Sequence, residues 1–244
     1  MEKREDLLYG VLKIKQPAEK EGLRVNLDTI LLAHFARPKN SERILEIGCA
    51  HGAVSLILAK RGYAVTGVDI QPHLIELAKE NAAFNALDEM TAFQVMDIRG
   101  HKKNWQPQVF DRIVVNPPYD EPNRSNASPS DARATALHGA QCTLSDIVLA
   151  ARYLLKNKGK LDIVLRAGRL AELFTLLEAN NIAPKIMQSV HPKPGANATV
   201  VLVEAMRAAS SGVIVNPPLF VKDGQGADTP ELLEAYKISE SEGE

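Results

Sequence analysis

From Arg43 to Asn180 the sequence alternates short apolar runs with longer amphipathic ones, and this rhythm restricts the fold more than any other feature. Ile44-Leu45-Glu46-Ile47 reads as a buried strand, Val54–Arg61 as a helix and Ala64–Val68 as a second strand. Pro72 suits the first turn of a helix that continues over His73–Asn85. Ala92–Met96 and Phe110–Val115 are the third and fourth strands. Thr143 caps a helix to Leu155, Gly159 breaks that helix, and Lys160–Leu165 is the fifth strand. After a last long helix over Gly168–Asn180, Lys185–His191 and Thr199–Ala205 follow with no helix between them. Strands joined by helical crossovers must run parallel, with both faces of their sheet covered, whereas two strands in immediate succession reverse direction. The expectation is an α/β, Rossmann-like fold with a mostly parallel seven-stranded sheet and one antiparallel strand.

The flanks read differently. Leu7–Gln16 alternates weakly, as a hairpin or edge strand would, and Asp28–Ala36 is a helix capped by Asn26 or Asp28 and stopped by Pro38. Residues 1–40 are therefore expected to be an N-terminal extension packed on a main domain of residues 41–222. Residues 223–244 form an acidic tail, expected to fray from about Val221 onward. Asp120–Leu137 is rich in Ser, Asn, Pro and Arg without apolar period, and reads as a long loop.

Composition narrows the class. In 244 residues, 45% hydrophobic and 24% charged, a sizeable core is available. The longest apolar stretches, such as Asp28–Ala36 and Ala53–Ala59, are far below the roughly 18 residues of a membrane span. The charged N-terminus lacks a signal-peptide core, and two cysteines, Cys49 and Cys142, build no disulfide scaffold, so the expected compartment is the cytoplasm. The histidines show no metal spacing, and no metal is expected. Net charge is −1, but residues 151–207 hold nine basic side chains against four acidic ones. Arg152, Lys156, Lys158, Lys160, Arg166 and Arg169 make this a candidate polyanion surface, although a solvated helix face has the same composition.

In open α/β sheets the ligand lies beyond the carboxyl ends of the strands, so those ends carry the functional information. The first strand ends Glu46-Ile-Gly48-Cys-Ala50-His-Gly52, a tight turn with bare backbone. A dinucleotide fingerprint would need glycine where Ala50 and Ala53 stand, and Glu46 would face a cation better than a phosphate. S-adenosylmethionine, with its sulfonium and amino group and no phosphate, fits such a turn better than NAD. Asp69, at the end of the second strand, is placed to accept from both hydroxyls of a ribose, and Asp97 from an adenine amino group. Either aspartate alone is more simply a turn cap.

The fourth strand ends Asn116-Pro117-Pro118-Tyr119. Two prolines fix the backbone and remove two N–H donors. Asn116 Oδ1 and the Pro117 carbonyl then form a pair of acceptors for the two hydrogens of one planar amino group, and Tyr119 offers a face for stacking a base. Holding both hydrogens enriches and aims the nitrogen lone pair, so positioning replaces a strong base. Asn216-Pro-Pro-Leu219 repeats the tripeptide late in the chain, without the aromatic ring, and reads as structural.

Together, Glu46–Gly52, Val68-Asp69, Asp97 and Asn116-Pro-Pro-Tyr119 resemble the class I S-adenosylmethionine-dependent methyltransferases of exocyclic amino groups. Gln16…Gly22-Leu-Arg-Val-Asn-Leu-Asp28-Thr-Ile-Leu-Leu32, Ala132-Arg133…Leu154–Lys160, Val190-His-Pro192 and Thr229-Pro-Glu231 are similar to the bacterial valine-tRNA adenine-N6 methyltransferase family. The resemblance implies the class I methyltransferase fold, S-adenosyl-L-methionine as cofactor, tRNA as partner and the adenine beside the anticodon as target. It implies cofactor contacts from Glu46, Gly48, Ala50, Gly52, Asp69, Ile70, Asp97, Ile98 and Asn116, and a catalytic grip on the adenine by Asn116, Pro117 and Tyr119. Ala50 departs from the glycine that many relatives carry. The basic 152–169 segment, with Arg124 and Arg133, is the expected RNA surface of a monomer. Three alternatives stay open: methylation of another amino group (guanine N2 of ribosomal RNA, or a release-factor glutamine), an NAD-dependent oxidoreductase, and a non-catalytic RNA-binding module.

Overall fold

The computed structural model describes residues 4–17, 24–117 and 142–237. A two-stranded hairpin, β1 (Glu5–Leu7) and β2 (Leu12–Ile14), precedes helix α1 (Leu27–Phe35), whose N-cap Asn26 accepts from the Thr29 N–H. The alternating body follows: β3 (Ile44–Ile47), α2 (Ala53–Lys60), β4 (Val65–Asp69), α3 (Pro72–Phe84), β5 (Thr91–Val95), the short α4 (His101–Asn104) and β6 (Phe110–Val115). Then come α5 (Leu144–Leu154), β7 (Leu155–Arg166), α6 (Leu170–Ala179), β8 (Ile182–His191), β9 (Val200–Arg207), β10 (Ile214–Val215), β11 (Leu219–Phe220) and α7 (Pro230–Ala235).

The sheet runs β10-β8-β9-β7-β6-β3-β4-β5, with β11 also pairing β8. Only β9 lies antiparallel to its neighbours β7 and β8. The seven expected strands are all present; the sheet reaches nine because two-residue strands β10 and β11 add to the outer edge of β8. Asn216-Pro-Pro links these two edge pieces, far from the centre of the sheet, where proline's missing N–H costs no ladder bond. Strand β7 begins directly after α5, so Gly159 lies in a bulge within it and not at a break. The register against β6 shifts there, and Lys158 takes φ +63°. Helix α5 carries a full capping box between Thr143 and Asp146.

Alternation along each strand sends successive side chains to opposite faces. Leu45, Ile47, Ile113 and Val115 face the core beneath α5 and α6, while Ile44 and Val114 face α1, α2 and the hairpin. Arg112 shares that second face and is wholly buried. Its guanidinium binds Glu42 at 2.8 Å, Asp162 of β7, Glu204 of β9 and the Arg37 carbonyl at 3.0 Å, so three strands are cross-tied by charge. Within the described part of the stretch expected to fray, Val221–Lys237, Thr229 caps α7, and Leu232 and Ala235 join the core. The hairpin is fastened through Asn81 of α3, which accepts from the Lys15 N–H at 2.7 Å and donates to the Lys15 and His51 carbonyls.

Candidate active site

The chain runs β3, β4, β5 outward in one direction and then returns to place β6 on the other side of β3. The strand order therefore reverses between β3 and β6, which is where a crevice opens in such sheets. Ile47 pairs with Val115 on one side and with Val68 on the other. One residue further, Asn116, Gly48 and Asp69 leave three adjacent strands at the same height. At about 4.8 Å between strands, the row from Asn116 to Asp69 is about 10 Å wide.

The turn after β3 is tied down on its inner side. The Gly48 and Cys49 N–H groups both donate to the Val68 carbonyl, at 2.8 and 3.0 Å, and Gly52 N–H donates to the Cys49 carbonyl. Gly48 adopts φ +72°, and a Cβ there would meet nothing within 4 Å, so its outer side is open backbone. Ala50 is held at φ +47°, a conformation alanine adopts at a cost that glycine avoids. Gly52, at φ +87°, is the N-cap of α2 and supplies no capping side chain.

Glu46 fills that capping role from beneath. It is 4% exposed, and its Oε2 accepts from the Ser55 N–H at 2.9 Å and from the Ser55 hydroxyl. Burial pushes its carboxyl up to about 8, against the opposing pull of the Ser55 hydrogen bonds. The outward-facing carboxylate expected from the sequence is thus corrected: strand alternation turns Glu46 toward α2, where it satisfies a first-turn N–H of the helix. Asp69 is the carboxylate at the crevice. Its Oδ2 accepts from Ala50 N–H and its Oδ1 from Gln71 N–H, both at 2.9 Å, and burial raises its pKa. The Gln71 side chain also bonds this carboxylate, so three of its roughly four acceptor positions are taken and the remaining one is open to a ribose hydroxyl.

Asp97 caps the 3-10 turn Ile98–Gly100 and is gripped by Arg99 through its backbone N–H and guanidinium, which holds its pKa below the usual carboxylate range. Capping is its visible role. Ile70 is 40% exposed beside Asp69, while the Ile98 side chain belongs to the core and leaves only backbone for a ligand. Asn116 is half-buried and Pro117 buried at the end of β6; Pro118, Tyr119 and the loop Asp120–Leu137, with Arg124 and Arg133, lie outside the described residues. The basic 152–169 segment does not form one face. Lys156 pairs with Asp111, Lys160 with Glu204 and Arg169 with Glu172, and Lys160 to Arg166 alone span about 20 Å of strand. Ser55 and Asn81 went unrecognised in the sequence, because each acts on a residue far along the chain that no local spacing rule connects to it.

A family model described as "Methyltransferase domain" matches residues 38–203. The chain belongs to that family. As a methyltransferase it takes S-adenosylmethionine as methyl donor. Among curated proteins it is similar to the tRNA1(Val) (adenine(37)-N6)-methyltransferase of Yersinia enterocolitica, 26% identical over 213 residues, covering 86% of this chain and 83% of that protein. The protein of the same name from Yersinia pseudotuberculosis is 26% identical over 215 residues, covering 87% and 83%. In fold, the chain matches the crystal structure of a predicted O-methyltransferase from Agrobacterium tumefaciens, with TM-score 0.68 and 21% identity over 87% of this chain and 98% of that one. It also matches geranyl diphosphate C-methyltransferase from Streptomyces coelicolor, solved with S-adenosyl-L-homocysteine, with TM-score 0.55 and 12% identity over 74% and 79%. Among the described residues no helix is long and apolar enough to cross a membrane.

Proposed function

We propose that the protein methylates N6 of an adenine in tRNA, the adenine beside the anticodon of valine tRNA being the favoured target. The observation that carries this reading is the position of Asn116-Pro117. The pair leaves β6 directly beside Gly48, at the reversal of strand order, with Asp69 one strand further on. The Yersinia relatives, named for adenine N6 methylation, align over most of the chain and supply the base and the RNA.

The described residues fit the cofactor. Open backbone at Gly48 and the remaining acceptor capacity of Asp69 would hold its nucleoside part, with Ile70 as an apolar neighbour. When bound, S-adenosylmethionine supplies a methyl group made electrophilic by its sulfonium. Asn116 Oδ1 and the Pro117 carbonyl would accept the two amino hydrogens of the target adenine, with Tyr119 stacking on the flipped base. That pair of acceptors draws the hydrogens away from the ring and aims the nitrogen lone pair across the crevice. Glu46 is spent on Ser55, and no strong base is required of the chain, since the amine proton leaves to water once the nitrogen has been alkylated.

The deciding experiment incubates the protein with methyl-labelled cofactor and, separately, total tRNA, ribosomal RNA and release factor, followed by digestion and mass spectrometry. N6-methyladenosine in valine tRNA is the expected product. Label in guanine N2 or in glutamine would replace the reading with one of its neighbours.

A further inference from the structure

Away from the crevice, a cavity of about 500 Å³ lies between the turn after β5 and the outer side of α5. Its walls include Arg99, Lys102, Arg152, Tyr153 and Arg207, with Asp146 as the acidic member. The basic side chains seen so far are largely neutralised: Arg112, Lys156, Lys160 and Arg169 all sit on carboxylates. Two arginines of this cavity are not. Arg152 makes no ion pair among the described residues. Arg207, 8% exposed, reaches only the Asn157 amide oxygen at 2.7 Å, and its Nε is buried without a partner among the described residues. Burial, and then the charge of Arg152, oppose the Arg207 cation. Asp146 is already committed to Thr143, whose N–H and hydroxyl it accepts at 2.9 and 2.7 Å. Arg152 and Arg207 line the same cavity and repel one another, so an anion placed between them would relieve both.

The other wall is aromatic. The Tyr153 ring lies 5.1 Å from that of His101, and Lys102 Nζ stands 5.7 Å from its centroid. The cavity is also elongated. Asp146 and Arg152 are six residues apart on α5, about 9 Å along the axis. Its Arg99 end touches Asp97 at the carboxyl edge of the sheet, and its Arg207 end reaches the opposite edge, because β9 runs antiparallel.

We propose that this groove is a docking track for the phosphodiester backbone of the RNA, leading away from the crevice along α5. The inference rests on the RNA reading above and places the contact on a surface that keeps Arg152 of the linear basic segment and adds Lys102 and Arg207 from elsewhere in the chain. Phosphate oxygens bond Arg152 and offset the charge of the neighbouring Arg207, as charge-assisted acceptors do best. Such contacts position the RNA without reading its sequence.

The test uses the full chain with Lys102→Ala and Arg152→Ala, singly and together, both side chains being outside the core. Melting temperature and S-adenosylmethionine affinity are expected to stay native. Binding of total tRNA is measured by filter retention over a potassium chloride series. Each alanine should lower the log–log salt slope by about 0.7–0.9, and the double variant should bind at least about tenfold more weakly at 0.1 M salt. In methylation assays KM for tRNA should rise with kcat little changed. Native tRNA affinity and salt slope in the double variant overturn the inference, as does a wild-type protein that fails to bind tRNA. If the double variant loses binding while the wild type methylates no tRNA, the track stands and the proposed reaction falls. If the wild type methylates tRNA while the variant binds it normally, the reaction stands and the track falls.

Discussion

The Asp69 carboxylate accepts the Ala50 N–H at 2.9 Å, so the end of one central strand fixes the turn that leaves the next. Its other oxygen fixes the Gln71 N–H at the entry to α3. Asp69→Asn keeps the shape but turns an NH₂ group toward one of these donors. Leaving a buried donor unpaired costs about 1–3 kcal/mol. Urea denaturation should show that loss, and calorimetry should show S-adenosylmethionine affinity reduced at least about tenfold, or 1.4 kcal/mol. Native cofactor affinity in this variant would remove Asp69 from the site.

Glu46 gives a pH signature of definite sign. Its pKa is raised from 4.5 to about 8 in the folded protein. Between those values the native state holds a proton that the unfolded chain has released, so this group's contribution falls as pH rises through the window and is flat above it. The slope from one such group is at most about 1.4 kcal/mol per pH unit. Glu46→Gln removes the titration and keeps an acceptor for Ser55. The stability difference between variant and native protein should therefore shift in favour of the variant from pH 5.5 to 8.5; a constant difference would mean that Glu46 is ionised throughout.

The two Asn-Pro-Pro sequences form an internal control. Asn116→Ala should lower methyl transfer by about 10²–10³, the usual effect of losing one positioned polar contact in a transition state. Cofactor affinity should change little. Asn216→Ala, at the sheet edge, should leave turnover within about twofold of native, as surface changes away from a site normally do. Equal losses in the two variants, measured with labelled cofactor, would contradict the assignment of roles.

Arg112 is the counter-charge for Asp162 and, with Lys160, for Glu204. Removing one partner of a buried pair costs about 3–5 kcal/mol because the remaining charge is stranded. Arg112→Met should show a loss of that size by chemical denaturation. A loss below about 1 kcal/mol would mean that water reaches Asp162 in its place.

The order of strands and helices was legible because crossover connections leave few topologies, and Ile44–Ile47 and Phe110–Val115 were found to the residue. Residues at the strand ends were legible for the same reason: the sheet can bring Gly48, Asp69 and Asn116 together in only one way. What stayed hidden was side-chain direction. Glu46 belongs to the face covered by α2, a fact of strand parity that became visible only once the helix was placed. The charge of residues 152–169 forms a patch along the chain, but the long strand β7 carries those side chains toward opposite ends of the sheet. Arg207, 55 residues after Arg152, returns to it only because β9 is reversed. Helix α7 was lost in an acidic tail because a six-residue element with two buried side chains has too little period to recognise.

Asn81 clasps the backbone of Lys15 and the carbonyl of His51 with a single amide. The N-terminal ribbon is thereby a strap over the bend proposed to cradle the cofactor, although it contributes no reacting group. A protease nick between Lys15 and α1 would slacken that strap and blunt turnover from a distance, with faster hydrogen exchange at Ala50–Gly52 as its first symptom.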